Sequence, residues 1–161
     1  MDRIKKIMEI MNTHLIKITG EGEESGFNEM LHIYGTAYIS AAIAAARGLD
    51  QELAFIAGLL HDTGRIVDNI HNGGHGPMGA ETAIKLLNEI GEFSKEEIEI
   101  ISCAIRNHSN KKDIGTEYDE IVKDADVLER LFIMKDKYED NKKKKKRLKN
   151  TLRQLELKLL I

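Results

Sequence analysis

A chain of 161 residues can enclose one domain with a substantial core and is short for two. No apolar run approaches the roughly 20 residues that cross a bilayer, and the start of the chain lacks a signal-like apolar stretch, so a cytoplasmic protein without a membrane span is expected. The net charge of −3 hides an asymmetry: residues 142–161 carry a net +8 and residues 1–141 a net −11, and so acidic a body repels phosphate unless a bound cation reverses the sign locally.

In chain order, aliphatic residues recur at three and four, which predicts helix almost throughout. Ile4, Ile7, Met8, Met11 and Leu15 form a first stripe, and Gly20 to Gly26 reads as a loop. A second helix is expected over about Asn28 to Arg47, with Gly48 as its C-terminal cap and Asp50 positioned to accept the free N–H groups of the next. That third helix, about Gln51 to Asp62, is apolar on most sides and should be central.

Thr63 to Gly76 reads as a loop, and Pro77 suits the first position of a helix ending near Ile90. Ser94 and Glu97 have capping-box spacing and open a helix reaching roughly His108. A further helix begins near Glu117 and carries Asp126, Leu128, Leu131 and Ile133. The single cysteine, Cys103, lies among Ile98, Ile101 and Ile105, where core packing is its expected role; it offers neither an internal disulfide nor a thiolate metal site.

The tail holds six consecutive basic residues, Lys142 to Arg147, followed by Leu148, Leu152, Leu155 and Leu159 at helical spacing. An electrostatic arm for anionic membrane or nucleic acid is one reading. The favoured reading is a last helix whose Leu stripe docks on the domain or on a second subunit of a homodimer, with no stable nucleic acid complex.

Three ionisable sites are embedded in apolar sequence. His61 and Asp62 end the apolar run Leu59-Leu60-His61-Asp62, His32 sits in Leu31-His32-Ile33, and Asp126 lies in Asp124-Ala125-Asp126-Val127-Leu128. A buried carboxylate requires a cation or strong donors, and an adjacent imidazole and carboxylate suit a divalent metal. If these helices pack together, one site draws on His32, His61, Asp62 and Asp126.

The order His, His-Asp, distant Asp resembles the HD superfamily of metal-dependent phosphohydrolases, over roughly Glu29 to Phe132. The context Gly58-Leu59-Leu60-His61-Asp62-Thr63-Gly64-Arg65 carries the likeness, with His32 about 30 residues before and Asp126 about 65 after. His75, in His75-Gly76-Pro77-Met78-Gly79-Ala80, and His108, in Arg106-Asn107-His108-Ser109, look like the extra histidines of two-metal members. The segments are similar to bacterial HD hydrolases of dinucleoside polyphosphates and to small HD phosphohydrolases of undefined substrate.

The resemblance implies an all-α, compact HD-domain bundle of about six to seven helices over residues 1–140, with residues 141–161 as a basic tail. It also implies that Asp62 bridges two ions, with His32, His61 and Asp126 on one and His75 and His108 on the other. Iron or manganese leads among the metals, and cobalt, nickel or zinc also suits such ligands. The implied activity is hydrolysis of a phosphoester or phosphoanhydride of a nucleotide or related small phosphate by a metal-activated water.

Arg65 and Arg106, three residues after Asp62 and two before His108, are the expected phosphate-binding cations. Lys123 is expected to be solvated, His71 to face solvent, and His14 to lie at the surface. The same ligand set also occurs in relatives that hold two irons and activate oxygen, and a nucleotide-sensing module without catalysis is the third alternative.

Overall fold

A computed structural model describes residues 3–20, 24–71, 74–132 and 142–156. Among these residues the chain is all-helical: α1 (Arg3–Gly20), α2 (Glu24–Arg47), α3 (Gln51–Leu60), α4 (Thr63–Ile66), α5 (His75–Ile90), α6 (Lys95–Asn107), α7 (Glu117–Phe132) and α8 (Lys142–Gln154). The expected bundle is present, with the expected tail helix as α8 and the four-residue α4 as an additional short element.

The centre is α3, in which every residue from Leu53 to Leu60 is buried. It forms the main core with Ile7, Met11 and Leu15 of α1, Ile33 and Ala37 of α2, Leu87 of α5, and Ile101 and Ile105 of α6. The α2–α3 crossing is tight: a Cβ on Gly58 would lie 2.7 Å from Ser40 Oγ and 2.9 Å from Ala37 Cα. Only a glycine lets the backbones approach so closely, and this approach sets α2 beside the end of α3.

Local signals fix the helix ends. Asp50 accepts from the backbone N–H groups of Glu52 (2.8 Å) and Leu53 (3.1 Å), and Ser94 and Glu97 form the capping box. Gly48 and Gly91 both adopt φ +69° after their helices, where a side chain would be strained.

Four boundaries differ from expectation. The Gly20 to Gly26 loop narrows, because α1 runs to Gly20 and α2 begins at Glu24, and residues 21–23 lie outside the described set. α3 ends at Leu60, leaving His61 and Asp62 in the turn before α4. Within the expected 63–76 loop, α4 forms one turn. α5 opens at His75, two residues before Pro77; the first N–H groups of a helix lack intrahelical acceptors, so proline is tolerated there too.

The tail helix α8 lies on the body. Thr151 is buried, Leu155 packs on the second apolar cluster of Ile43, Ala44, Ala54, Ile121 and Ala125, and Arg147 pairs with Glu120 and Asp124, each at 2.7 Å. Ile133, Leu159 and the boundary expected at residues 140 and 141 lie outside the described residues. No helix among the described residues is long and apolar enough to cross a membrane.

Candidate metal centre

Six helices deliver the polar cluster. His32 comes from the middle of α2, His61 caps the C-terminus of α3, Asp62 occupies the N-cap of α4, His75 opens α5, His108 caps the C-terminus of α6, and Asp126 lies in α7. All are buried except His75, whose side chain is 15% exposed.

Two of these imidazoles are oriented by the same device. The last carbonyls of a helix lack intrahelical donors. His61 Nδ1 donates to the Gly58 carbonyl (2.7 Å) and His108 Nδ1 to the Ile105 carbonyl (2.6 Å), so each Nε2 turns inward. His32 is held instead by the Glu129 carboxylate at its Nδ1.

The Nε2 atoms then converge on Asp62. Its Oδ2 lies 3.6 Å from His32 Nε2 and 3.5 Å from His61 Nε2; its Oδ1 lies 3.2 Å from His108 Nε2 and 3.6 Å from His75 Nε2. Within each pair the nitrogens are 3.1 Å apart. Asp126 Oδ1 sits 3.5 Å from His32 Nε2.

This geometry fits a bound cation. Burial drives the His61 imidazole down to about 3, so its inward nitrogen presents a lone pair at neutral pH. Asp62 Oδ1 is buried with no hydrogen-bond donor, a costly state unless a positive charge meets it. Ligand atoms of His32, His61 and Asp126 lie within 4.8 Å of one another, as do those of His61, Asp62 and His108. The second triangle uses His61 where His75 was expected; His75 stands at its edge, beside Asp62 Oδ1 and His108.

Around the carboxylates the field is positive. Burial opposes ionisation of Asp126, but Lys111 and the nearby histidines outweigh it and hold the carboxyl below its usual range. Asp62 is likewise held well below that range, its burial outweighed by His61, His108 and His32. Burial disfavours an imidazolium at His32, yet Asp62 and Glu129 raise it to about 9.

Three residues of this shell had no place in the sequence reading: Glu129 on His32, Arg130 bonded to Asp126 Oδ1 (3.0 Å), and Lys111, paired with Asp126 and donating to the His108 carbonyl (2.6 Å). Glu129 and Arg130 follow Asp126 by three and four, the spacing that puts residues on one helical face, and this was the available signal.

The expected phosphate cations part company. Arg65 Nε lies 3.9 Å from Asp62 and 3.7 Å from Glu29, and it has no hydrogen-bond acceptor. Arg106 is exposed on the last turn of α6 and forms no ion pair among the described residues. Lys123 is not solvated: it is 1% exposed, because its ammonium reaches the Asp113 carbonyl (3.0 Å) and Glu120 (2.9 Å). His71 is exposed against Asn69, and His14 is half-buried on α1. Cys103 is half-buried and accepts from Asn107 (3.4 Å), so polar neighbours share its packing.

A helical bundle that turns imidazoles and carboxylates inward on a shared centre defines a metal-binding domain of the HD type. The HD domain model matches residues 30–131, and the chain belongs to this family, a branch of the metal-dependent phosphohydrolase superfamily. Among curated proteins it is similar to Ribonuclease Y of Mycoplasma mycoides subsp. mycoides SC, with 36% identity over 121 residues, 73% of this chain and 22% of that protein. Ribonuclease Y of Oceanobacillus iheyensis is 31% identical over the same shares of both chains, and that of Bacillus cereus is 38% identical over 78 residues, 47% of this chain and 15% of that protein. The chain thus spans at most 22% of the length of these relatives. No solved structure matches it.

Proposed function

We propose that the chain hydrolyses a phosphoester or phosphoanhydride of a nucleotide or related small phosphate, with His32, His61, Asp62, His75, His108 and Asp126 holding one or two divalent ions. The observation that carries this reading is Asp62: its two oxygens face two different pairs of inward imidazole nitrogens. A divalent ion there would bring the pKa of water toward neutrality and polarise a phosphoryl oxygen. Iron or manganese heads the expected metals, with cobalt, nickel and zinc as alternates.

The chain's own residues supply the remaining functions. Glu129 holds the Nδ1 proton of His32 and aims Nε2 at the centre, where a bound cation would take the place of the second proton. Lys111 and Arg130 steady Asp126 from opposite oxygens. Arg65, whose side chain is about one third exposed beside Asp62, is placed to donate to a phosphate oxygen and to stabilise charge that grows in the transition state. Arg106 is proposed as a second, outer phosphate contact.

Metal analysis of gently purified protein, coupled to a phosphate-release screen of nucleotides, tests the proposal. The name of the relatives, Ribonuclease Y, supports including an RNA phosphodiester. Asp62→Ala is expected to lose metal and turnover together; full retention of both would overturn the reading. Substrate-dependent oxygen uptake by iron-loaded protein, without phosphate release, would favour oxygenase chemistry instead.

A further inference from the structure

A second feature lies outside the six-residue centre. Between α8, the end of α2, the face of α7 and the segment after α6 is a cavity of about 490 Å³. Six cations of the described residues line it: Arg47, Lys111, Lys112, Lys143, Lys146 and Arg147. Among the described residues two carboxylates, Glu120 and Asp124, join them. That balance is the reverse of the body's, where acidic residues greatly outnumber basic ones.

If α8 served only to neutralise the acidic body, its lysines would meet carboxylates. Arg147 does so, and Arg47 shares Asp124 with it. Lys143 and Lys146 instead line the same cavity as Lys112; all three are exposed and have no ion pair among the described residues. Like charges gathered around one cavity repel unless an anion lies between them. The paired carboxylates fix the two guanidinium groups in place beside the exposed lysine amines.

The lining also restricts the ligand. The volume is that of a small-molecule pocket. Among the described residues no aromatic side chain lines it and Ile114 is its one aliphatic residue, so the described lining offers no ring on which a base could stack. Recognition must fall on charge. We propose that this pocket binds a chain of two or more linked phosphates, carried by an inorganic polyphosphate or by the tail of a nucleoside polyphosphate. Lys111 connects the two sites, since it lines the pocket and its ammonium also holds Asp126 and the His108 carbonyl.

The pocket can be tested without the hydrolase. Inorganic tripolyphosphate is titrated calorimetrically into the chelator-treated full chain at moderate salt, which removes any contribution from metal-bound phosphate. Saturable binding with one ligand per chain is expected. Lys143→Gln with Lys146→Gln should weaken it roughly ten-fold, as loss of two exposed charge contacts implies. Lys145→Gln with Lys149→Gln removes the same charge from exposed α8 positions outside the pocket and should change affinity less than about two-fold.

Absence of saturable binding would overturn the inference. Equal losses in the two double variants would do so as well, by assigning the effect to the overall field of α8. ATP in place of tripolyphosphate separates the nucleoside-borne source from the inorganic one. Binding of a single-stranded oligonucleotide without tripolyphosphate binding would refute the small phosphate ligand and assign the face to nucleic acid.

Discussion

Glu129→Gln isolates the orientation of His32 from its presence. Glu129 is fully buried, its carboxylate meets His32 Nδ1, and its Cγ would lie 2.8 Å from a Cβ at Gly35, so the side chain has little freedom. Glutamine keeps this shape and an acceptor oxygen but removes the charge. A hydrogen bond to a charged group contributes about 1.5–3 kcal/mol and a neutral one about 0.5–1.5, so the exchange should cost about 1–1.5 kcal/mol of ligand orientation. At about 1.4 kcal/mol per decade this is roughly a ten-fold loss of metal affinity, at the lower edge of the effect usual for groups that orient metal-bound histidine. Competition with a chromogenic chelator measures the affinity, and thermal unfolding of the metal-free variant confirms that the fold survives. An affinity within about two-fold of the parent, in a folded variant, would refute the assignment of Glu129 as the residue that positions His32.

Gly64→Ala should cost about 1–3 kcal/mol in denaturant unfolding, because its Cβ would collide with the His75 carbonyl and lie 3.0 Å from Gly79 N, both backbone atoms. Since α4 or α5 must move, His75 should be displaced as well; a variant of parental stability would show that the contact relaxes freely. His108→Ala should lower the bound metal by elemental analysis, because it breaks the His61, Asp62 and His108 group while the His32, His61 and Asp126 group is untouched, and unchanged metal content in a folded variant would remove His108 from the ligand set. Glu97→Gln bears on acid stability. The hydrogen bond from Arg3, aided by the Ser94 N–H, lowers the Glu97 carboxyl below its ordinary 4.5. The folded value lies below the unfolded one, so this stabilisation is complete above pH 4.5 and is lost as pH falls through the folded value. Because the pair is near the surface, about 1 kcal/mol or less should separate variant from parent at pH 7, and the gap should close in strong acid. A gap that persists unchanged at pH 2.5 would place the effect in packing rather than charge.

The helical class and the central position of α3 were legible because apolar residues recur at helical spacing and the capping residues are strong. The convergence of His32, His61, Asp62 and Asp126 was legible for a related reason: ionisable groups inside apolar runs must meet one another or a cation. Boundaries near the centre were harder. His61 and Asp62 continue the apolar run of α3, so only tertiary structure shows that the helix stops before them. Lys123 was expected in solvent because a lysine on an amphipathic helix usually lies there; Glu120, three residues earlier, was a local signal, but nothing local announces the Asp113 carbonyl. Lys111 and Glu129 escaped notice because their importance depends on which helix faces them. The cationic pocket was hidden for the same reason, since half of its described cations come from the body and half from the tail.

The use of helix ends to aim His61 and His108 has a dynamic consequence. Each ring is tied to a carbonyl three residues earlier, so fraying of the terminal turn of α3 or α6 releases the ring from its inward pose. Loss of an ion and opening of a helix terminus therefore become one event observed from two sides. Amide exchange at the last turns of α3 and α6 should slow on loading, even though no metal touches the backbone there.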